Sequence, residues 1–288
     1  MASLVFTATS GFAVFGCSAT VVGGDQGGTT QRLAIVEVRV HDSAGDGDDL
    51  VRLEASARFV SVKEPGVPAD ALDLLGLSWT PPPAGTCVRN PSVDRDAPGH
   101  SNPTVRVELR DISPVVLELR PSDGEARLLN LEPRAFPDVV GLVSGVVFVT
   151  PSDASALSAR SPRTAWIRAG TNIPTAIELP DRPTRVTFSS ETTTDGIRVV
   201  DARGLELAAH PGHADEQVVV DVVRGGTVRA RCGVNSLGTV RIDADALGGT
   251  GEATLVVRAQ RRVMRDDPTL GALETRVERD IEFRVTAR

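Results

Sequence analysis

From Val36 onward the chain alternates apolar and polar residues with a period of two. Val36, Val38 and Val40 take one side, and Glu37, Arg39 and His41 take the other. Successive side chains of an extended strand point to opposite faces, so this pattern makes one apolar face and one wet face only as a β-strand. The pattern returns at once: Val51, Leu53, Ala55, Ala57 and Phe59 alternate with Arg52, Glu54, Ser56 and Arg58. It continues in Val105-Val107-Leu109, Val115-Leu117-Leu119, Val218-Val220-Val222, Val228-Ala230-Cys232-Val234, Val240-Ile242-Ala244, Leu255-Val257-Ala259 and Ile281-Phe283-Val285. Val143 to Thr150 is apolar on both sides, as expected of a strand between two layers. No long stretch carries a helical period, and the expectation is an all-β fold.

Turn signals separate these runs. Gly225-Gly226 lies between two alternating strands, and a two-residue Gly-Gly turn predicts a hairpin because glycine supplies the positive φ such turns need. Pro121-Ser122-Asp123-Gly124 marks another turn, and residues 90–103, rich in Asp, Pro, Gly and Ser, read as a long exposed loop. Residues 152–163 read as a helical turn or a loop. Thr164 to Ile167 and Thr175 to Leu179 read as short strands. Leu179-Pro180-Asp181-Arg182-Pro183 is the expected domain boundary, being short, polar and proline-rich. The chain then divides into residues 1–17, a tether at 18–31, and two domains at 32–180 and 181–288. The 288 residues allow two domains of that size. Many short strands with regular turn signals imply a sandwich or barrel. The two modules resemble the immunoglobulin-like sandwiches that bacterial surface proteins string together. The resemblance is one of fold, without the Cys…Trp…Cys spacing of true immunoglobulin domains, and fold alone does not give function.

The start is a separate problem. An apolar run, Leu4 to Phe15, ends at Val14-Phe15-Gly16-Cys17 and is followed by Ser18-Ala19-Thr20 and a Gly/Thr-rich stretch. A secretory signal carries an apolar segment of about 7–15 residues and small residues at its cleavage site. The run is too short to span a bilayer, which takes about 20 residues. Val14, Gly16 and Cys17 resemble the lipobox of bacterial lipoproteins. That resemblance implies lipidation at Cys17, a membrane anchor, and, from Ser18, delivery to the outer membrane. Val22 to Gly28 then serves as a flexible spacer. The competing reading of residues 1–17 is a first β-strand or a disordered start.

Composition narrows the function classes. Net charge is −7, which argues against a nucleic-acid partner, since such a protein would present a basic patch. Lys63 is the sole lysine among 31 basic residues, and the arginines are spread along the strands. Aromatic residues are 3% of the chain, and Tyr is absent. Sugar-binding and adhesive surfaces rely on exposed flat rings. Only Trp79 and Trp166 could serve, and both read as core residues. If Cys17 carries lipid, Cys87 and Cys232 form an even pair in an oxidising compartment. Two unpaired thiols are the expectation, with a bridge as the alternative, because a bridge needs Cα atoms within about 7 Å.

The sites are few. Asp42, Asp46, Asp48 and Asp49 crowd one Gly-containing loop, a carboxylate set suited to Ca²⁺, which takes about 6–8 oxygens. The competing reading is a solvated hairpin loop. His210-Pro211-Gly212-His213-Ala214-Asp215-Glu216 holds Zn²⁺-type ligands, but Pro-Gly makes a turn there and a polar loop is the expectation. Gly141-Leu142-Val143-Ser144-Gly145 lacks nucleophile-elbow spacing, and His100 lies thirteen residues beyond Cys87. No phosphate loop or dinucleotide fingerprint is present, so no cofactor is expected. The expectation is a non-enzymatic, lipid-anchored envelope protein acting as a spacer or as an interaction module for another envelope protein. The alternatives are a calcium or carbohydrate module using loops 42–49 and 90–103, and a hydrolase assembled from dispersed residues.

Overall fold

The computed structural model describes residues 30–42, 50–63, 72, 74, 75, 77, 81–91, 106–121, 125–139, 142–151, 156–158, 162–170, 175–179, 184–189, 192–194 and 197–288. The chain is an all-β protein. Its described strands are β1 (Thr30–Asp42), β2 (Leu50–Lys63), β3 (Cys87–Arg89), β4 (Val107–Leu109), β5 (Val115–Pro121), β6 (Arg127–Val139), β7 (Val143–Val149), β8 (Ala156–Ser158), β9 (Pro162–Ala169) and β10 (Thr175–Glu178). They continue as β11 (Thr184–Phe188), β12 (Thr192–Thr194), β13 (Ile197–Val200), β14 (Gly204–His210), β15 (Gln217–Arg224), β16 (Thr227–Gly233), β17 (Thr239–Asp243), β18 (Gly251–Asp267) and β19 (Gly271–Ala287). A short helix, α1 (Ala244–Leu247), follows β17.

Alternation builds two layered cores. In one, Val36, Val38 and Val40 of β1, Leu53, Ala57 and Phe59 of β2, and Leu273 and Val277 of β19 face Leu117 and Leu119 of β5, Leu131 of β6 and Ile167 of β9. Phe59 meets Phe148 edge to face, with centroids 5.8 Å apart. Strand β6 turns the corner between these layers. Its first half pairs with β5, and from Glu132 it pairs with β7. In the other core, Val220 and Val222 of β15, Cys232 of β16, Leu255 and Val257 of β18, and Phe283 of β19 pack against the three-stranded sheet β11-β14-β17. A third cluster, with Leu33, Ile35, Val60, Val62, Val107, Leu109 and Val143, covers the opposite face of the first sheet at one end. There Gly145 (φ 124) lets β7 approach β4 closely, and a Cβ would lie 1.9 Å from the Leu109 carbonyl oxygen.

Strand β19 joins these parts. It pairs with β18 along its whole length, from Gly251↔Ala287 to Asp267↔Gly271. On its other edge it runs parallel first to β1, Leu33↔Ala272 to Asp42↔Ile281, and then to β13, Arg198↔Val285 to Val200↔Ala287. The hairpin at Gly225-Gly226 forms as expected, with both glycines at positive φ between Arg224 and Thr227.

Several elements differ from expectation. The strand expected to run to Ala244 stops at Asp243, whose carboxylate accepts the Ala246 N–H at 2.6 Å and caps α1. Residues 152–163, expected as a helical turn or loop, contain β8 and the start of β9. Cys87, expected in a loop, begins β3, which pairs with β16 across the expected boundary. Strands β12, β13 and β14 go beyond the expected set; β12 and β13 are only three and four residues long, whereas β14 alternates buried Leu205, Leu207 and Ala209 with Glu206 and Ala208 over seven residues.

Asp42 and Arg279 meet on the apolar side of the β1–β19 pair, between Val277 and Ile281 of the two cores. They are 8% and 6% exposed, and Arg279 donates through Nε at 2.6 Å and Nη2 at 3.1 Å. Removing one member of such a pair leaves a buried charge with its main partner gone. Arg279→Met is expected to cost about 3–5 kcal/mol in urea unfolding. Asp42→Leu combined with Arg279→Leu is expected to cost clearly less than the single change. Equal losses would show that the pair is not acting as a unit.

Candidate functional site: a charged sheet face

Most charged residues of β1, β2, β15, β16, β18 and β19 emerge on the face opposite the two cores, with Asp42 and Arg279 among the exceptions. Pairing then brings opposite charges side by side. Arg39 donates to Glu278 at 2.8 Å, and Arg58 pairs with Glu37. Arg231 makes a two-pronged contact with Asp221, at 2.7 and 3.0 Å, and Arg258 reaches Asp221 at 3.2 Å. Arg276 and Arg262 both bind the buried Glu274. Asp221 and Glu274 are 2% and 0% exposed, so these are not solvated surface pairs. The network spans the sheet from β2 to β16.

Burial and partners set the charge states. Burial by itself raises the Glu274 carboxyl, but hydrogen bonds from Arg276 and Arg262 outweigh it and hold the group below its ordinary range. Burial lowers Arg231, and the Asp221 hydrogen bond and charge more than reverse that. His41 follows the same logic. Burial disfavours the imidazolium, but its Nδ1 lies 2.7 Å from Asp280, and that contact, with Glu54 nearby, raises its pKa above the ordinary 6.5 despite Arg39. The Nε2 of His41 is 3.6 Å from Glu54, beyond hydrogen-bond length.

A groove crosses this face. One part, of about 360 Å³, lies between Glu37, Arg39 and Glu54 on one side and Thr150 and Pro151 on the other. A second, of about 200 Å³, lies between Pro81 and Asp215 over Gln260. Arg276 and Glu278 belong to both. Arg276 also donates to the Leu77 carbonyl at 2.6 Å, fixing the neighbouring segment. The buried Gln260 Nε2 is an amide donor on this floor without a hydrogen-bond partner among the described residues. The arrangement offers paired charges and one uncommitted amide donor.

The expected site residues fall elsewhere. Cys17 lies outside the described residues, as do Asp46, Asp48, Asp49, His100, Trp79 and positions 92–103 of the second loop. Asp42 is described, and its carboxylate is committed to Arg279. In the 210–216 turn, Asp215 pairs with Arg261 at 2.6 Å, and Glu216 Oε2 accepts the N–H groups of Gly212 and His213. Among the described residues, no group of three or more His, Cys, Asp or Glu is placed to hold a metal ion. Trp166 is half-buried, with the Arg120 guanidinium 4.8 Å from its ring centre, so its face is already occupied. Ser144 is exposed on β7. Cys87 and Cys232 are opposite one another in the β3–β16 register and are joined as a disulfide, in place of the two free thiols expected. The charged face itself is the feature that sequence reasoning missed. Its signal was the run Glu37, Arg39, His41 and the matching run Arg276, Glu278, Asp280, but only the pairing sets them together.

No protein-family model matches the chain, and no curated protein matches it.

Two outcomes follow from this geometry. The disulfide links positions 145 residues apart, so Cys87→Ser is expected to lower stability by about 2–5 kcal/mol in chemical unfolding. For His41, the folded pKa lies above the unfolded one. Its stabilising contribution is therefore complete below about pH 6.5 and fades as pH rises through the folded value. The urea midpoint of the wild type should fall more between pH 6 and pH 9 than that of His41→Gln. Parallel profiles would remove His41 from the account.

Proposed function

We propose that this is a lipid-anchored protein of a bacterial cell envelope, non-enzymatic, acting as a rigid spacer or interaction module for another envelope protein. Its anchor is Cys17, and the tether, which ends where β1 begins at Thr30 and not after Gln31 as expected, holds two immunoglobulin-like β-sandwich modules away from the membrane. The observation that carries the reading is the Cys87–Cys232 disulfide. Disulfides persist in secreted and periplasmic compartments and are rare where thiols are kept reduced. An exported chain needs an export signal, and the lipobox-like Val14-Phe15-Gly16-Cys17 supplies one that also gives the third cysteine a role. The rigid character agrees with the charged face, where buried carboxylates are held by arginines from neighbouring strands.

The test is the intact mass of the full chain expressed in a bacterium that processes lipoproteins, beside Cys17→Ser. The expected result is cleavage before Cys17 with added acyl mass and recovery in the membrane fraction. Cys17→Ser should lose the acyl mass and leave that fraction. An uncleaved wild-type chain recovered with reduced Cys87 and Cys232 would overturn the proposal.

A further inference from the structure

We propose that the cavity beside Glu216 receives the cationic side chain, lysine or arginine, of a partner protein. The cavity measures about 390 Å³ and sits where the 210–216 turn enters β15, next to the Pro81–Cys87 segment. Pro82, Ala84, Pro211, Ala214, Val218 and Val234 form apolar walls. Among the described residues, Glu216 is the one ionisable residue lining it.

The carboxylate is unevenly used. Its Oε2 accepts N–H groups from Gly212 at 2.9 Å and His213 at 3.1 Å, which fixes the side chain. Its Oε1 is buried without a partner among the described residues, and Glu216 as a whole is 6% exposed. A buried carboxylate oxygen without a donor is costly, and a donor brought by a ligand removes that cost. A charged donor does so best, since charge-assisted hydrogen bonds are about twice as strong as neutral ones. A hard metal ion would need several oxygens; of the polar residues lining the cavity only Glu216 brings a carboxylate, and the Asn235 side-chain oxygen already accepts the Leu237 and Thr239 N–H groups. Lysine and arginine combine a cationic head with an aliphatic stem that lies against apolar surface. That is the complement of one carboxylate behind proline, alanine and valine walls.

The cavity is also held in shape. The 81–87 wall is tied to β16 by the disulfide and by the Gly85 N–H to Gly233 carbonyl bond at 2.7 Å, with the Gly233 N–H returning to Thr86 at 2.9 Å. A preformed pocket loses less entropy on binding. The identification of the occupant as a protein side chain rests on the interaction-module reading. The cationic chemistry of the pocket does not.

The experiment is an amide NMR titration of the full chain with N-acetyl-lysine methylamide and N-acetyl-arginine methylamide. The uncharged N-acetyl-norleucine methylamide, with the same stem, is the control. Saturable shifts confined to residues 81–85, 211–219 and 233–236 are expected from at least one cationic probe. In Glu216→Gln the remaining oxygen can still accept the two N–H groups, and affinity should drop by about tenfold or more, the size of one charge-assisted hydrogen bond. Should that variant disturb the turn, Ala214→Trp, which crowds the mouth without touching the carboxylate, must abolish the shifts. No shifts, equal shifts with the norleucine probe, or binding unchanged in both variants would overturn the site. Tighter binding of free putrescine than of either amide would overturn the protein side chain as occupant. None of these results depends on whether Cys17 is lipidated.

Discussion

Because β19 stays in unbroken register with β18 from Gly271 to Ala287, one strand serves three environments. Leu273 and Val277 go to one core, Phe283 and Val285 to another, and Arg276, Glu278 and Asp280 to the charged face behind both. Its pairing with β18 over seventeen residues holds it straight enough to do so. A slip of one residue would turn every side chain to the wrong face, so the register is strongly specified. The hydrophobic gain from two cores and the pairing of the arginines depend on that same register. The Asp42–Arg279 pair sits where the two cores meet on the apolar face, the one position on β19 where an apolar residue gives way to a charged one. There it marks the register of β1 against β19.

The charged face has a different energetic character from an ordinary protein surface. Exposed ion pairs are worth about 0–1 kcal/mol each, because water competes and long side chains lose freedom. Here Asp221, Asp280 and Glu274 are nearly dry, so the charges have already lost hydration and depend on one another. Such networks add little net stability over apolar packing, but they penalise every wrong pairing of strands heavily. In a protein whose β1 and β19 are separated by almost the whole chain, that penalty helps a long-range parallel pairing find its proper alignment.

Much of the architecture was legible from periodicity. The strands at 36–42, 51–59, 115–119, 218–222, 228–233, 255–259 and 281–285 and the Gly225-Gly226 hairpin all follow from local residue order, because a strand's facial pattern is a property of neighbours one and two positions apart. The weaker elements escaped. Strand β8 is three residues with no alternation to show, and β3 was hidden beside three prolines. Asp243 could have been read as a cap from Asp-Ala-Asp-Ala-Leu followed by Gly-Gly, yet four residues are too few to reveal a helical period. The candidate sites were less legible still. Clustering in sequence singled out 42–49 and 210–216, but Asp42 turned inward to a residue 237 positions away and Asp215 outward to Arg261.

The sequence by itself determined that the chain is all-β, which face of each long strand is apolar, and where the tight hairpin falls. These are consequences of side-chain alternation and of glycine's access to positive φ. Only the tertiary structure decided that β1 runs parallel to β19, that Cys87 meets Cys232, and that scattered arginines and carboxylates close into one network. It also decided that Glu216 lines a cavity while one of its carboxylate oxygens is buried without a hydrogen-bond partner among the described residues. Each of those depends on strand order and register, which arise from contacts between residues tens to hundreds of positions apart, and no local pattern encodes them.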